Sequence, residues 1–99
     1  MLHLTRKLGE SAVIGDDQSV CVVEIANASS VALRVWDARR ASGRQEFLVS
    51  VSVGEALALR DNVRVVVNSI RGRSVSLGFD AERAVAVQRG ERYVRGQAS

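Results

Sequence analysis

Apolar residues along this chain mostly alternate with polar ones. Val20 and Val22, then Val31, Leu33 and Val35, keep a period of two, as do Val63, Val65 and Val67. The same spacing returns at Val75, Leu77 and Phe79, and at Val85 and Val87. A period of two places one set of side chains on one face of a strand, so each run predicts a half-buried β-strand. Polar and glycine-bearing segments interrupt the runs: Gly15-Asp16-Asp17, Asn27-Ala28-Ser29, Arg60-Asp61-Asn62, Arg71-Gly72-Arg73 and Asp80-Ala81-Glu82. These residues favour turns because they tolerate unusual backbone angles or bond to their own backbone. Valine is abundant and proline absent, and many short strands joined by close turns predict an all-β fold. The stretch from Gly90 to Gln97 reads as either a short helix or a frayed tail.

The pattern also repeats. LGESAVIGDD (8–17) lines up with VGEALALRDN (53–62), with Gly9 on Gly54, Glu10 on Glu55 and Asp16 on Asp61. Val20 then falls on Val65, Val22 on Val67 and Ile25 on Ile70; after slips of one residue each, VALRV meets VSLGF and Asp37-Ala38 meets Asp80-Ala81. Valine-rich strands match by chance, but the ungapped Gly-Glu pair and acidic turn favour an internal duplication. This divides the chain into a first repeat (1–38) whose last strand is degenerate, a basic linker (39–45) and a second repeat (46–99). A unit of roughly 45 residues buries too little apolar surface to be stable alone, so the two are expected to share one core.

Composition adds little to the fold and something about partners. Lysine and arginine outnumber aspartate and glutamate by 14 to 11, and the pI is about 10.0, an excess that suits a polyanion without demanding one. Cys21 is the only cysteine, which excludes an internal disulfide or a cysteine cluster for zinc; inside QSVCVVEI it is expected to be a small buried hydrophobe. The opening MLHLTRKLGE lacks the apolar core of a signal peptide, and no stretch approaches a membrane span. The cytoplasm is the expected location.

The run MLHLTRKLGESAVIGDD resembles the opening of the carbon storage regulator (CsrA/RsmA) family, whose pattern is approximately MLxLTRKxGExxxIGDD. Residues 61–93, DNVRVVVNSIRGRSVSLGFDAERAVAVQRGERY, are similar to the remainder of that domain, and residues 18–60 read as the tail of one degraded copy and the head of another. The resemblance implies intertwined antiparallel or mixed sheets in which five-stranded units exchange strands. It also implies RNA as the partner: a GGA element in a single-stranded or hairpin-loop leader of an mRNA, bound where the first strand of one unit meets the last strand of the other. Such binding represses translation or alters messenger stability.

Carried onto this chain, the resemblance implies a first-strand half-site of Leu4, Thr5, Arg6 and Lys7, and a last-strand half-site of Ala81, Val85, Val87, Gln88 and Arg89. Loop bases are read by edge hydrogen bonds and stacking, and arginines add charge-assisted contacts; Arg6 and Arg89 are both expected at the surface. Two positions depart from the family pattern. Glu82 stands where proline is usual, and Gln88 where histidine is common. The opposite half-sites are eroded: Val49-Ser50-Val51-Ser52 carries no cation, and Arg39-Arg40-Ala41-Ser42-Gly43-Arg44-Gln45 has no strand period. A fused pseudo-dimer with one composite RNA site follows, expected as a monomer, with a homodimer as the other arrangement. The rival is a protein-interaction module that pairs with a family member or a protein antagonist.

No other residue group points to chemistry. His3, between Leu2 and Leu4, has no identifiable partner for acid–base catalysis or metal binding, and Asp16-Asp17 is better explained by a turn. Trp36 is expected to pack in the core or an interface. Neither enzyme activity nor a cofactor or metal is expected.

Overall fold

The computed structural model describes residues 1–38, 46–60, 63–81 and 86–92. Nine strands follow in order: β1 (Leu2–Lys7), β2 (Ser11–Ile14), β3 (Gln18–Asn27), β4 (Ser30–Asp37), β5 (Glu46–Ser52), β6 (Ala56–Arg60), β7 (Val63–Arg71), β8 (Ser74–Asp80) and β9 (Val87–Arg89). A 3-10 turn, Gly90–Arg92, closes the described chain. All registered pairings are antiparallel. The all-β expectation therefore holds; the helical alternative for the end is met only by this turn, and the segment beyond it lies outside the described residues.

The strands form two sheets, β1-β8-β7-β6 and β5-β4-β3-β2-β9. β2-β3-β4 and β6-β7-β8 are matching meanders, each in its own sheet. Their preceding strands cross over: β1 adds to β8, and β5 adds to β4. β9 crosses as well, pairing with β2 through Ala12↔Arg89, Val13↔Gln88 and Ile14↔Val87.

The two meanders open on the same turn, bond for bond. Gly9 N–H donates to Val22 O at 2.7 Å, and Gly54 N–H to Val67 O at 2.8 Å. Glu10 and Glu55 each reach back with Oε1 to accept from a strand-end amide, Lys7 N–H at 2.8 Å and Ser52 N–H at 2.7 Å. Gly9 and Gly54 sit at φ 89° and 90°, a region costly for any residue with a Cβ, which is why the Gly-Glu pair recurs. The ladders even slip at equivalent places, after Val22 in β3 and after Val67 in β7.

Alternation turns one face of each sheet inward. Ala12, Ile14, Val20, Val22, Val31, Leu33, Val35 and Val51 from one sheet meet Leu59, Val63, Val65, Val67, Val75, Leu77 and Phe79 from the other in a single buried cluster. Each fully buried Val or Leu contributes about 1.5–3 kcal/mol, and separating the sheets would return both inner faces to water. A polar side chain also bridges them: buried Gln18 donates from Nε2 to Leu59 O at 2.6 Å.

One expectation about packing is corrected. Cys21 is not buried in the core but half-buried on the outer face of β3, because Val20 and Val22 take the inward positions on either side. Trp36 lies between inward-facing Val35 and Asp37 and is half-buried, which leaves the interface of the two places expected for it.

Candidate nucleic-acid interface

β1 and β9 are edge strands of different sheets, and one corner brings them together. Leu8 N–H donates to Arg73 O at 3.0 Å, so by antiparallel alternation Arg6 and Leu4 turn their backbone groups toward β8. The backbone groups of Thr5 and His3 then face the open edge. Lys7 N–H, directed the same way, donates to Glu10 Oε1.

Side-chain alternation sends Arg6 inward. It is only 2% exposed, and a guanidinium so placed must have its donors satisfied. Nε donates to Thr5 O at 2.9 Å and Nη1 to Ser11 O at 3.0 Å. Nη1 and Nη2 fork onto the Glu91 carboxylate at 2.7 and 3.4 Å, and Glu10 lies 3.7 Å from Nη2. The same Glu91 accepts from Arg89 Nη2 at 2.7 Å. Arg6 of the first strand and Arg89 of the last are thus tied to one carboxylate.

The 3-10 turn is what aims Glu91. A Cβ at Gly90 would run into Ser11 Oγ and crowd Ser11 O at 3.1 Å, so glycine allows the turn to settle on β2. The hydrogen bond from Arg6, then Glu91's own backbone amide, then the charges of Arg6 and Arg89 hold the Glu91 carboxyl at about 2, below its ordinary 4.5.

Of the residues expected at the site, Arg6 and Arg89 meet directly through Glu91, and Thr5 and Lys7 are exposed on β1 beside them. Val87 and Gln88 are half-buried on β9, Leu4 is half-buried under β1, and Ala81 follows the end of β8. Val85 lies outside the described residues, as do Glu82 and the cations at 39, 40 and 44. One premise is corrected: Arg6 is not an exposed arginine. It shares the inward face of β1 with Leu4, and its guanidinium is fully engaged. Arg89, with 43% of its side chain exposed, is the guanidinium that solvent reaches. Glu91 and Gly90 were missed from sequence, although a carboxylate two residues after the key arginine was a readable signal.

Among the described residues, the opposite corner shows no such linkage. Val51, at the place in β5 that Arg6 holds in β1, is 3% exposed and belongs to the core. Among the described residues no strand pairs with β6 as β9 pairs with β2.

Fold and corner together define a small β-sandwich with exchanged strands and a single polar junction between two sheet edges. The chain belongs to the CsrA family of global regulator proteins, whose family model matches residues 48–98. That match spans from β5 to beyond the 3-10 turn; the family-like opening at residues 1–17 lies outside it. No solved structure matches the chain. Among the described residues, no group of acidic, histidine or cysteine side chains could hold a metal, and no helix is long and apolar enough to cross a membrane.

Proposed function

We propose that this chain is an RNA-binding post-transcriptional regulator that recognises a GGA-containing mRNA leader element at the β1–β9 corner. The observation that carries this reading is the Arg6–Glu91–Arg89 linkage, which sets an exposed guanidinium beside the open backbone edge of β1. Unpaired bases need directional donors and acceptors, and open strand edges with a fixed arginine offer both. Arg89 and the His3–Thr5 edge contact RNA in this reading, with Lys7, Val87 and Gln88 flanking them. Arg6 acts as a positioning residue that holds Glu91, and through it Arg89.

The duplicated turns and crossed strands support a further part of the reading: two repeats, 1–38 and 46–99, form a pseudo-dimer within one chain. The chain is then a monomer of 10.7 kDa with one RNA site. The family match over residues 48–98 supports reading the second repeat as one whole unit.

The test is a titration with a GGA hairpin and with the same hairpin carrying a scrambled loop, with molar mass measured in parallel. Preference for the GGA loop by a monomer is expected. Equal weak binding of both loops would contradict sequence recognition, and no RNA binding would favour the protein-interaction rival. A stable dimer in dilute light scattering would overturn the monomer.

A further inference from the structure

The outer face of the four-stranded sheet carries a second polar feature that the corner does not use. Pairing aligns Thr5, Ser76 and Ser69 in one row and Lys7, Ser74 and Arg71 in the next. Thr5, Ser69, Arg71, Ser74 and Ser76 line an open depression of about 260 Å³. Short hydroxyl side chains leave the space, and Arg71 walls it.

The charges single out the same place. Arg6 and Arg89 bind Glu91, Arg34 lies 3.9 Å from Glu46, and Arg64 bonds Asp80 at 3.0 Å. Among the lysines and arginines whose side chains the structure describes, those without a carboxylate partner are Lys7, Arg71 and Arg73. All three lie at one end of this face, where β1 stops and the β7–β8 turn begins. Glu10, which follows β1 in the chain, is committed to Lys7 N–H. Three unneutralised cations around rotatable hydroxyl donors make a site for oxyanions, because hydroxyls and guanidinium groups donate to phosphate oxygens. Thr5 joins it to the corner: its backbone faces the open edge and its side chain lines the depression.

We propose that this depression is a phosphate-binding subsite for the single-stranded flank of an RNA held at the β1–β9 corner. The inference rests on the RNA reading above. The flank's backbone crosses the hydroxyl row toward Arg71 and Arg73, so affinity here is independent of sequence and sensitive to salt.

The test compares a bare GGA hairpin with the same hairpin bearing a short uridine flank, for wild type and an Arg71→Gln/Arg73→Gln double variant. The flank is expected to strengthen wild-type binding about tenfold at low salt, with the gain gone in the variant and the salt slope lower by about 1.4, the share of two single-strand phosphates. Bare-hairpin affinity should stay within about twofold, since neither arginine side chain takes part in the Arg6–Glu91–Arg89 linkage and the Arg73 backbone bond to Leu8 is kept. A flank without effect on wild type, or a gain that survives the double substitution, overturns the subsite. If the bare hairpin fails to bind, the RNA reading of the corner falls. The subsite is then decided by oligouridine alone: amide shifts at Thr5, Ser74 and Ser76 in wild type and not in the variant support it, and their absence overturns it.

Discussion

Arg6 and Val51 occupy equivalent places in two nearly identical frameworks. Each sits near the end of a crossed-over strand, each is followed by the same glycine–glutamate turn, and each is buried to within a few per cent. The difference lies in what the neighbouring edge provides. Beside Arg6, β9 and its 3-10 turn deliver a carboxylate and close on β2. Beside Val51, no described strand plays that part, and an apolar side chain fills the core instead. A buried guanidinium is stable only where its charge and donors are matched, so an arginine at this place needs the partner that β9 and its turn supply. The same framework can therefore carry a site at one corner and pure packing at the other.

The sharpest way to break this comparison is to force the charge onto the apolar corner. Val51→Arg should cost about 3–5 kcal/mol in unfolding free energy, the scale of an uncompensated buried charge, as read by urea denaturation. A near-neutral result would mean that this corner has a hidden acceptor. The reciprocal change, Arg6→Ala, should cost about 3 kcal/mol, toward the low end for breaking a buried pair because Glu91 can return to water. Arg6→Met, which keeps the apolar stem, should cost clearly less; equal losses would deny the packing analogy with Val51.

Arg89 separates binding from stability. With 43% of its side chain exposed, Arg89 keeps contact with water, so Arg89→Ala should cost much less stability than Arg6→Ala. RNA affinity should fall by about 1.5–3 kcal/mol, the worth of a hydrogen bond to a charged group, measured by anisotropy with the GGA hairpin. A stability loss as large as that of Arg6→Ala would make Arg89 structural.

The smallest effect is on pH dependence. Glu91 is held at about 2 in the folded chain against an ordinary 4.5. Its contribution is complete above the unfolded value and drains away as pH falls from about 4.5 toward 2. Wild type should lose stability across this window more steeply than Glu91→Gln, which has no proton to take up there. Parallel curves would show that the carboxylate does not bind its arginines more tightly than water does.

Much of this molecule was readable in advance, and the failures share a cause. Strands with strict alternation, such as Val31–Val35 and Val75–Phe79, lie where the pattern places them, and the Gly9-Glu10 and Gly54-Glu55 turns follow from backbone chemistry. Cys21 departs from its expected burial because apolar neighbours blur which face points inward. The crossing of β1 onto β8 is a long-range choice that periodicity cannot express; only the family resemblance implied it. Arg6 is the instructive error. Its alternation with Leu2 and Leu4 predicts the inward face, but its charge argued for the surface. Glu91, distant in sequence, reverses that preference by supplying the acceptor.

Whether one chain carries one site is decided by calorimetric titration of the GGA hairpin into protein of verified molar mass. One hairpin per 10.7 kDa chain is expected, with no added affinity from an RNA that links two GGA hairpins, because that gain requires two sites engaged together. Two equivalent sites on a monomer would contradict the account, since the Val51 corner would then bind RNA without the arginine–glutamate linkage.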